Sequence, residues 1–472
     1  MYDNVKSCIK HNNEVSDIFC SEIGVRQGEN LSPVLFSLYL NDLQSYLERN
    51  NLKGVESISQ DIENELLVYF KILLFLYADD TILLSESDED LQLMLNVFFS
   101  VYCDTWKLKV NVDKTKMLIF SKGPISKREK FFINNKEIEI VKSYKYLGVF
   151  FARSGSFLTT RKYLQEQATK AMYSLLQKCR RNHLSIECQL DMFDRSILPI
   201  LLYGSEVWGF ENLDILERVH LRFCKLILRV KQTTPNFIIY GELGRYPISI
   251  QAKVRMINFW CKIVNGKETK ISNLLYKLLF TYHENYGIET KWLSYIKSIL
   301  DSCGMSNLWQ NQNQYHSIWI SKSIEQKLKD QFIQLWSAEM FMSSKSLCYR
   351  LFKTDFGFEK YISLLSPNLM FILCKFRSGS HRLPVESGRW QHVPRDKRLC
   401  HLCDSSDIGD EFHYIMICSF FNNERKKFLP EYYQKNNNVF KFNALFSTQN
   451  IIILEKLCKF IKTILLKVAP PG

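Results

Sequence analysis

Hydrophobic and polar positions change their rhythm along the chain. Up to about residue 150, helical and strand patterns alternate; from about 156 to 300 the pattern is mainly helical, and a mostly helical stretch leads to a short Cys/His segment near 400–418. Leu35, Leu38, Tyr39, Asp42, Leu43 and Tyr46 recur at helical spacing behind the loop 24–33, where Ser32 suits a cap and Pro33 the first helical position. Leu66 to Tyr77 and Thr81 to Ser85 read as apolar strands joined at Ala78-Asp79-Asp80, a tight hairpin. Asp88, Glu89 and Asp90 suit the first turn of a helix, with Leu91, Met94, Leu95, Phe98 and Tyr102 as its buried stripe. Lys107 to Val112 and Met117 to Phe120 read as strands around Asn111–Lys116, and Tyr144 to Phe150 as a further turn and strand. The end of the chain holds a helix candidate, Ile451 to Leu466, stopped at Pro470-Pro471-Gly472.

Length and charge narrow the function classes. A chain of 472 residues suggests two to four domains. Its 62 Lys and Arg against 49 Asp and Glu leave a formal charge of +13, a surplus that favours polyanions. The first residues lack the apolar core of a signal peptide, and the best apolar run, Leu66 to Ala78, is broken by Lys71. The chain is therefore expected to be soluble and intracellular, in cytoplasm or nucleus, neither secreted nor membrane-spanning. Its 14 cysteines then read as reduced thiols, with Cys400 and Cys403 the one tight pair.

Four groups of residues carry candidate chemistry. Asp79 and Asp80 put adjacent carboxylates at the tip of an apolar hairpin, where they repel each other; a hard cation such as magnesium relieves this, although Asp is also a common turn residue. The glycines of the loop before Leu35 could let backbone approach a nucleotide, or could simply precede a capped helix. Residues 153–231 hold 13 Lys and Arg against 8 Asp and Glu, and Arg218, Arg222, Lys225 and Arg229 recur on one helix face. Such a face contacts phosphate or is merely solvated. Finally Cys400, Cys403, His413 and Cys418 offer three thiolates and one imidazole in a spacing that suits a closed, structural tetrahedral zinc site; the plainer alternative is free thiols. Arg395, Lys397, Arg398, Arg425, Lys426 and Lys427 flank it, which suits nucleic acid.

Taken in order, these pieces resemble the palm of a reverse transcriptase of the LINE-type (non-LTR) retrotransposon family. Arg26-Gln27-Gly28 with Leu31-Ser32-Pro33 resembles its motif B, under the incoming nucleotide and template. Tyr77-Ala78-Asp79-Asp80 resembles motif C, the metal-binding hairpin, and Asn111 with Lys114-Thr115 resembles motif D. Tyr146-Leu147-Gly148 resembles motif E, the primer grip. Downstream, Leu201 to Gly209, His381-Arg382-Leu383-Pro384 and Gly388-Arg389-Trp390 are similar to segments that follow the palm in these proteins. The resemblance implies two-metal nucleotidyl transfer, with Asp79 and Asp80 as magnesium ligands, Tyr77 near the primer end and Lys114 supplying charge or a proton to the leaving group. It implies RNA and DNA as partners, and deoxynucleoside triphosphates for an intact protein; protein partners are not implied.

The same family carries a further aspartate, motif A, on a strand before motif B. Only 23 residues precede Gly24, and Asp3, the sole acid before Glu14, has no apolar strand leading to it. The expectation is a partial palm without motif A or fingers, inactive alone. The alternatives are a non-catalytic nucleic-acid-binding remnant or an expressed fragment with no function of its own. The expected fold is α+β: an antiparallel palm sheet with helices, then a mainly α-helical thumb-like and C-terminal region with a small zinc-knuckle-like element. The expected boundaries are 1–150 for the palm, 151–300 for the thumb-like region, 301–390 for a helical C-terminal region, 391–430 for the Cys/His element and 431–472 for a tail.

Overall fold

The structure is a computed structural model of the 472-residue chain. It describes all residues except 1–4, 13, 22–23, 26–27, 62–65, 78–79, 122, 124–129, 313–315, 346 and 469–472, with backbone only at 5, 21, 57–61 and 66–70. It is mixed helix and strand, mostly helical, and divides into two compact units, Met1–Ser156 and Phe157–Gly472.

The first unit holds the strands. Among the described residues every pairing is two-stranded, and all but one are antiparallel. The apolar run expected as one strand breaks at Leu73. Leu66–Ile72 pairs with Val55–Asp61, whereas Leu74–Tyr77 pairs with Asp80–Leu83. The break has a physical cause: Ile72 and Leu73 turn into the core, and the Leu73 carbonyl accepts from the Leu84 N–H at 2.9 Å.

Two further expectations need correction. The stripe from Leu35 to Tyr46 is divided into helices Ser32–Tyr39 and Leu43–Arg49; Ser32 is the first helical residue, and Leu31 holds the cap position. The bend lets Leu43 and Leu47 reach the core, and Asp42 accepts from the Tyr102 hydroxyl at 2.7 Å. Residues 107–112 form no strand, and Lys116–Met117 instead pairs in parallel with Glu139–Ile140.

The helix Asp88–Leu95 begins as its sequence suggests, with Ser87 accepting from the Asp90 N–H, and continues as a π-helical stretch, Asn96–Tyr102. Met94, Leu95, Phe98 and Tyr102 of the expected stripe are buried. Burial would raise the Asp90 carboxyl, but the N–H groups of Lys53 and Gly54, each at 2.9 Å, and the Ser85 hydroxyl hold it below the usual carboxylate value.

The second unit is helical throughout, apart from isolated bridges. One of its cores gathers Met256, Trp260, Leu293, Ile296, Trp309 and Ile324. Elsewhere in the unit, a fully buried ion pair joins Arg377 to Glu242 at 2.8 Å, and Arg377 also reaches Glu359 at 3.0 Å. The segment 431–472 is not tail-like. It contains the helices Val439–Ser447 and Ile451–Val468, and Leu454, Leu457, Phe460, Ile461 and Ile464 of the latter are buried. No helix of the described residues is long and apolar enough to cross a membrane.

Candidate functional site

The hairpin Leu74–Tyr77 with Asp80–Leu83 pairs Tyr77 directly opposite Asp80, so Asp80 opens the second strand instead of belonging to the turn. Asp79 itself, like Arg26 and Gln27, lies outside the described residues. Gly28 and Asp80 are exposed, and Tyr77 keeps 61% of its surface. A second hairpin, Ser143–Tyr146 with Val149–Ala152, turns at Leu147 and Gly148, whose φ values are 45° and 84°. Glycine takes that conformation freely; Leu147 holds it at a steric cost of roughly 1–2 kcal/mol. This turn is within electrostatic reach of the first hairpin. Burial, the Asp80 charge and the Tyr77 hydroxyl together push the Tyr146 phenol above its usual value.

Lys114 lies in a turn organised by Asn111, whose side-chain oxygen accepts from the Lys114 N–H at 3.2 Å and whose carbonyl accepts from Thr115 at 3.1 Å. Its side chain is exposed. Asp80 belongs to no group of three or more potential metal ligands among the described residues. Asp80 offers hard oxygen donors from one side, which is an incomplete set for an ion that demands near-octahedral coordination.

The basic helix is Asp214–Leu228. Glu217 pins it by accepting from His220 Nδ1 at 2.8 Å, Tyr240 at 2.8 Å and the Ile248 N–H at 2.7 Å. Arg218 and Arg222 point to solvent, with the Arg222 guanidinium 5.4 Å from the Tyr173 ring. Lys225 does not share this exposure. Its ammonium is buried and donates to the Gln232 carbonyl at 2.9 Å and Asn236 Oδ1 at 3.0 Å, because the 230–236 turn folds back over it. Burial pushes its pKa down. Arg229 ends the helix at φ 53° and stacks on Phe371 at 4.1 Å.

Cys400, Cys403, His413 and Cys418 converge, with all four ligand atoms within 4.8 Å of one another. Cys400 and Cys418 sulfurs are 3.9 Å apart, and Cys403 Sγ is 3.4 Å from His413 Nε2. A tetrahedral zinc ion with bonds of about 2.3 Å to sulfur and 2.0 Å to nitrogen would set these distances near 3.8 and 3.5 Å, so the donors fit such an ion. The Leu402 N–H points at Cys400 Sγ at 3.5 Å. His413–Ile417 is a π-helical turn. In an α-helix a step of five residues would swing His413 and Cys418 about 140° apart; the wider turn keeps both on the cluster. Burial holds the His413 imidazole below its usual pKa, so the ring is neutral and can offer Nε2; Asp407 Oδ2 lies 3.4 Å from Nδ1 on the other side.

The downstream motifs build the scaffold of this cluster. His381 is buried against Glu411 at 2.9 Å, and the Val385 N–H donates to Gly409 at 3.2 Å. A Cβ at Gly409 would stand 2.9 Å from Pro384, so only glycine permits that approach. Several flanking cations are also structural. Arg398 donates to the carbonyls of Val393 and Val385 at 2.8 Å each, and Arg395 pairs with Asp410 at 3.1 Å. Arg425 is 4% exposed, whereas Lys397, Lys426 and Lys427 reach solvent. The basic flank is thus only half available to nucleic acid.

Comparison with known proteins points to the same family as the sequence motifs. Residues 2–151 match the family described as reverse transcriptase (RNA-dependent DNA polymerase). The chain is 25% identical over 214 residues to the RNA-directed DNA polymerase from mobile element jockey of Drosophila melanogaster, covering 44% of this chain and 22% of that protein. It is 26% identical over 242 residues to the Pol polyprotein from type-1 retrotransposable element R2 of Popillia japonica, covering 48% and 30%. A 115 kDa protein in the R1DM element of Drosophila melanogaster is 24% identical over 258 residues, covering 50% and 23%. The chain thus spans less than a third of the length of these relatives. It is related to the reverse transcriptases of LINE-type, non-LTR retrotransposable elements, whose polymerase domain its residues 2–151 match.

Proposed function

We propose that the chain serves RNA-directed DNA synthesis as the part of a LINE-type polymerase that holds the primer end, the duplex and a structural zinc. The observation that carries this reading is the match of residues 2–151 to the polymerase family, a region that holds both the hairpin pairing Tyr77 with Asp80 and the hairpin that turns after Tyr146. Magnesium would supply the charge neutralisation for nucleotidyl transfer, with Asp79 and Asp80 as its ligands. Tyr146-Leu147-Gly148 would steady the primer strand, and the exposed Lys114 would meet the leaving group. Arg26, Gln27 and Gly28 would lie under nucleotide and template. The Cys3His cluster is closed, with all four donors from the protein, which supports a structural rather than catalytic zinc.

The 472-residue polypeptide assayed by itself is expected not to extend a primer on an RNA template. Two ions need carboxylates from both sides of the site, and among the described residues Asp80 belongs to no cluster of three or more such ligands. That loss is worth on the order of a thousandfold in rate. Extension with magnesium or manganese that disappears in Asp79→Ala would show that another acid completes the site and would overturn the expectation of inactivity.

Binding to a primer–template duplex is expected to be sequence-tolerant and to weaken with salt. Arg218→Gln with Arg222→Gln is expected to reduce the slope of log affinity against log salt by about 1.8, since each phosphate contact contributes about 0.9. Lys225→Gln is expected to lower stability instead, leaving the slope unchanged. A slope that ignores the double change would place the duplex on another face.

A further inference from the structure

Arg425 is a buried cation with no anion to match. From the helix Asn422–Phe428 its Nε donates to the Ile415 carbonyl at 2.8 Å, one Nη to the Cys418 carbonyl at 2.9 Å, and the other to Asn422 Oδ1 at 2.8 Å. These acceptors are neutral, and among the described residues no carboxylate lies within ion-pair distance of it. The nearby acids are otherwise engaged: Asp410 with Arg395, Glu424 with Lys467, and the half-exposed Asp407 with His413. The contrast within the same unit is Arg377, equally buried but paired with two glutamates. Lys225 also has neutral partners, but an amine can shed its proton and a guanidinium cannot. An uncompensated buried charge is costly, so something beside Arg425 should carry the opposite sign.

The cluster does so once filled. Three thiolates, a neutral imidazole and a divalent ion sum to a net charge of −1. Arg425 grips the carbonyls of Ile415 and of the ligand residue Cys418, so its guanidinium sits directly behind the cluster. We propose that Arg425 is the built-in counter-charge of a divalent metal–thiolate centre at Cys400, Cys403, His413 and Cys418, a positioning residue that makes the filled site neutral. The proposal rests on the zinc reading above and adds to it the reason a guanidinium is buried there. It also removes Arg425 from the nucleic-acid-facing flank.

The test measures zinc affinity of the full chain by chelator competition at fixed pH, with cobalt(II) absorption to report the ligand set. Arg425→Gln removes the charge; Arg425→Lys keeps it and loses the planar fork. Each is also placed in a Cys403→His background, where the filled centre would be neutral without Arg425. The expected result is at least tenfold weaker binding for Arg425→Gln, affinity within about threefold of the parent for Arg425→Lys, and a Gln penalty that vanishes beside Cys403→His. An equal loss in both backgrounds, or equal affinities for Gln and Lys, would overturn the proposal and leave Arg425 as a clamp on two carbonyls. If Arg425→Gln does not fold, Arg425→Lys decides alone, since a tenfold loss with the charge retained refutes the counter-charge. A wild-type chain that takes up neither zinc nor cobalt would instead sink the zinc reading itself.

Discussion

Reduced, metal-free protein is expected to bind one zinc ion per chain and to gain about 4 kcal/mol in stability of the Phe157–Gly472 unit when free zinc exceeds its Kd a thousandfold. Cys403→Ser should abolish that gain. The four donors already stand at distances that suit a tetrahedral ion, and Cys400, His413 and Cys418 are buried, so loading demands little rearrangement. The energy of binding then appears as energy of folding. Thermal or urea unfolding with and without zinc measures the gain. Unfolding signals from Met1–Ser156, which has its own core, should not respond. Elemental analysis that finds no stoichiometric metal in freshly reduced protein would refute the assignment.

Glu242→Gln is expected to destabilise the second unit by about 3–5 kcal/mol, the range for breaking a buried ion pair from one side. Glu242 and Arg377 are both fully buried, and Glu242 also accepts from the Tyr361 hydroxyl at 2.5 Å. Losing the carboxylate leaves Glu359, itself shared with Lys353, as the guanidinium's one carboxylate partner among the described residues, beside the Phe446 carbonyl. Burial alone would raise the Glu242 carboxyl, but Arg377 and its other partners hold it below the usual value. Glu411, buried against His381, is depressed in the same way. The sign follows: stability from these groups is complete above the unfolded carboxylate pKa of about 4.3 and is lost as pH falls below it. Denaturant titrations at neutral and acid pH measure both effects. A loss under about 1 kcal/mol for Glu242→Gln, or a wild-type midpoint that does not fall in acid, would contradict this account. Pairing Glu242→Gln with Arg377→Met should recover part of the loss, because the stranded charge is gone.

The hairpin at Tyr77–Asp80 and the helix from Asp88 were legible because turn residues and helix-opening acids are signals read over a few residues. The cluster of Cys400, Cys403, His413 and Cys418 was legible for the same reason, its members lying within 19 residues. What periodicity could not show was where the chain folds back. Lys225 shares a helical stripe with Arg218 and Arg222, yet the loop through Gln232 and Asn236 covers it. The strand expected from Leu66 to Tyr77 bends at Leu73 because the core takes Ile72 and Leu73, a choice made by distant side chains. The π-helical turn at His413 has no sequence signature, and with the extended Cys418 that follows it keeps two residues five apart on one cluster.

By itself, then, the sequence determined the local chemistry: where the hairpin before Asp80 turns, which sulfurs and imidazole stand at ligand spacing, and how much positive charge the chain carries. Tertiary structure decided which charges are free to act. It turned Lys225 inward, and it joined Glu242 to Arg377 across 135 residues. It also moved Arg425 from a basic flank into the interior beside the thiol cluster. The physical reason is that a charge's role depends on its desolvation and its partners. Both are set by segments far away in the chain, whereas turn, cap and ligand spacing are set by neighbours.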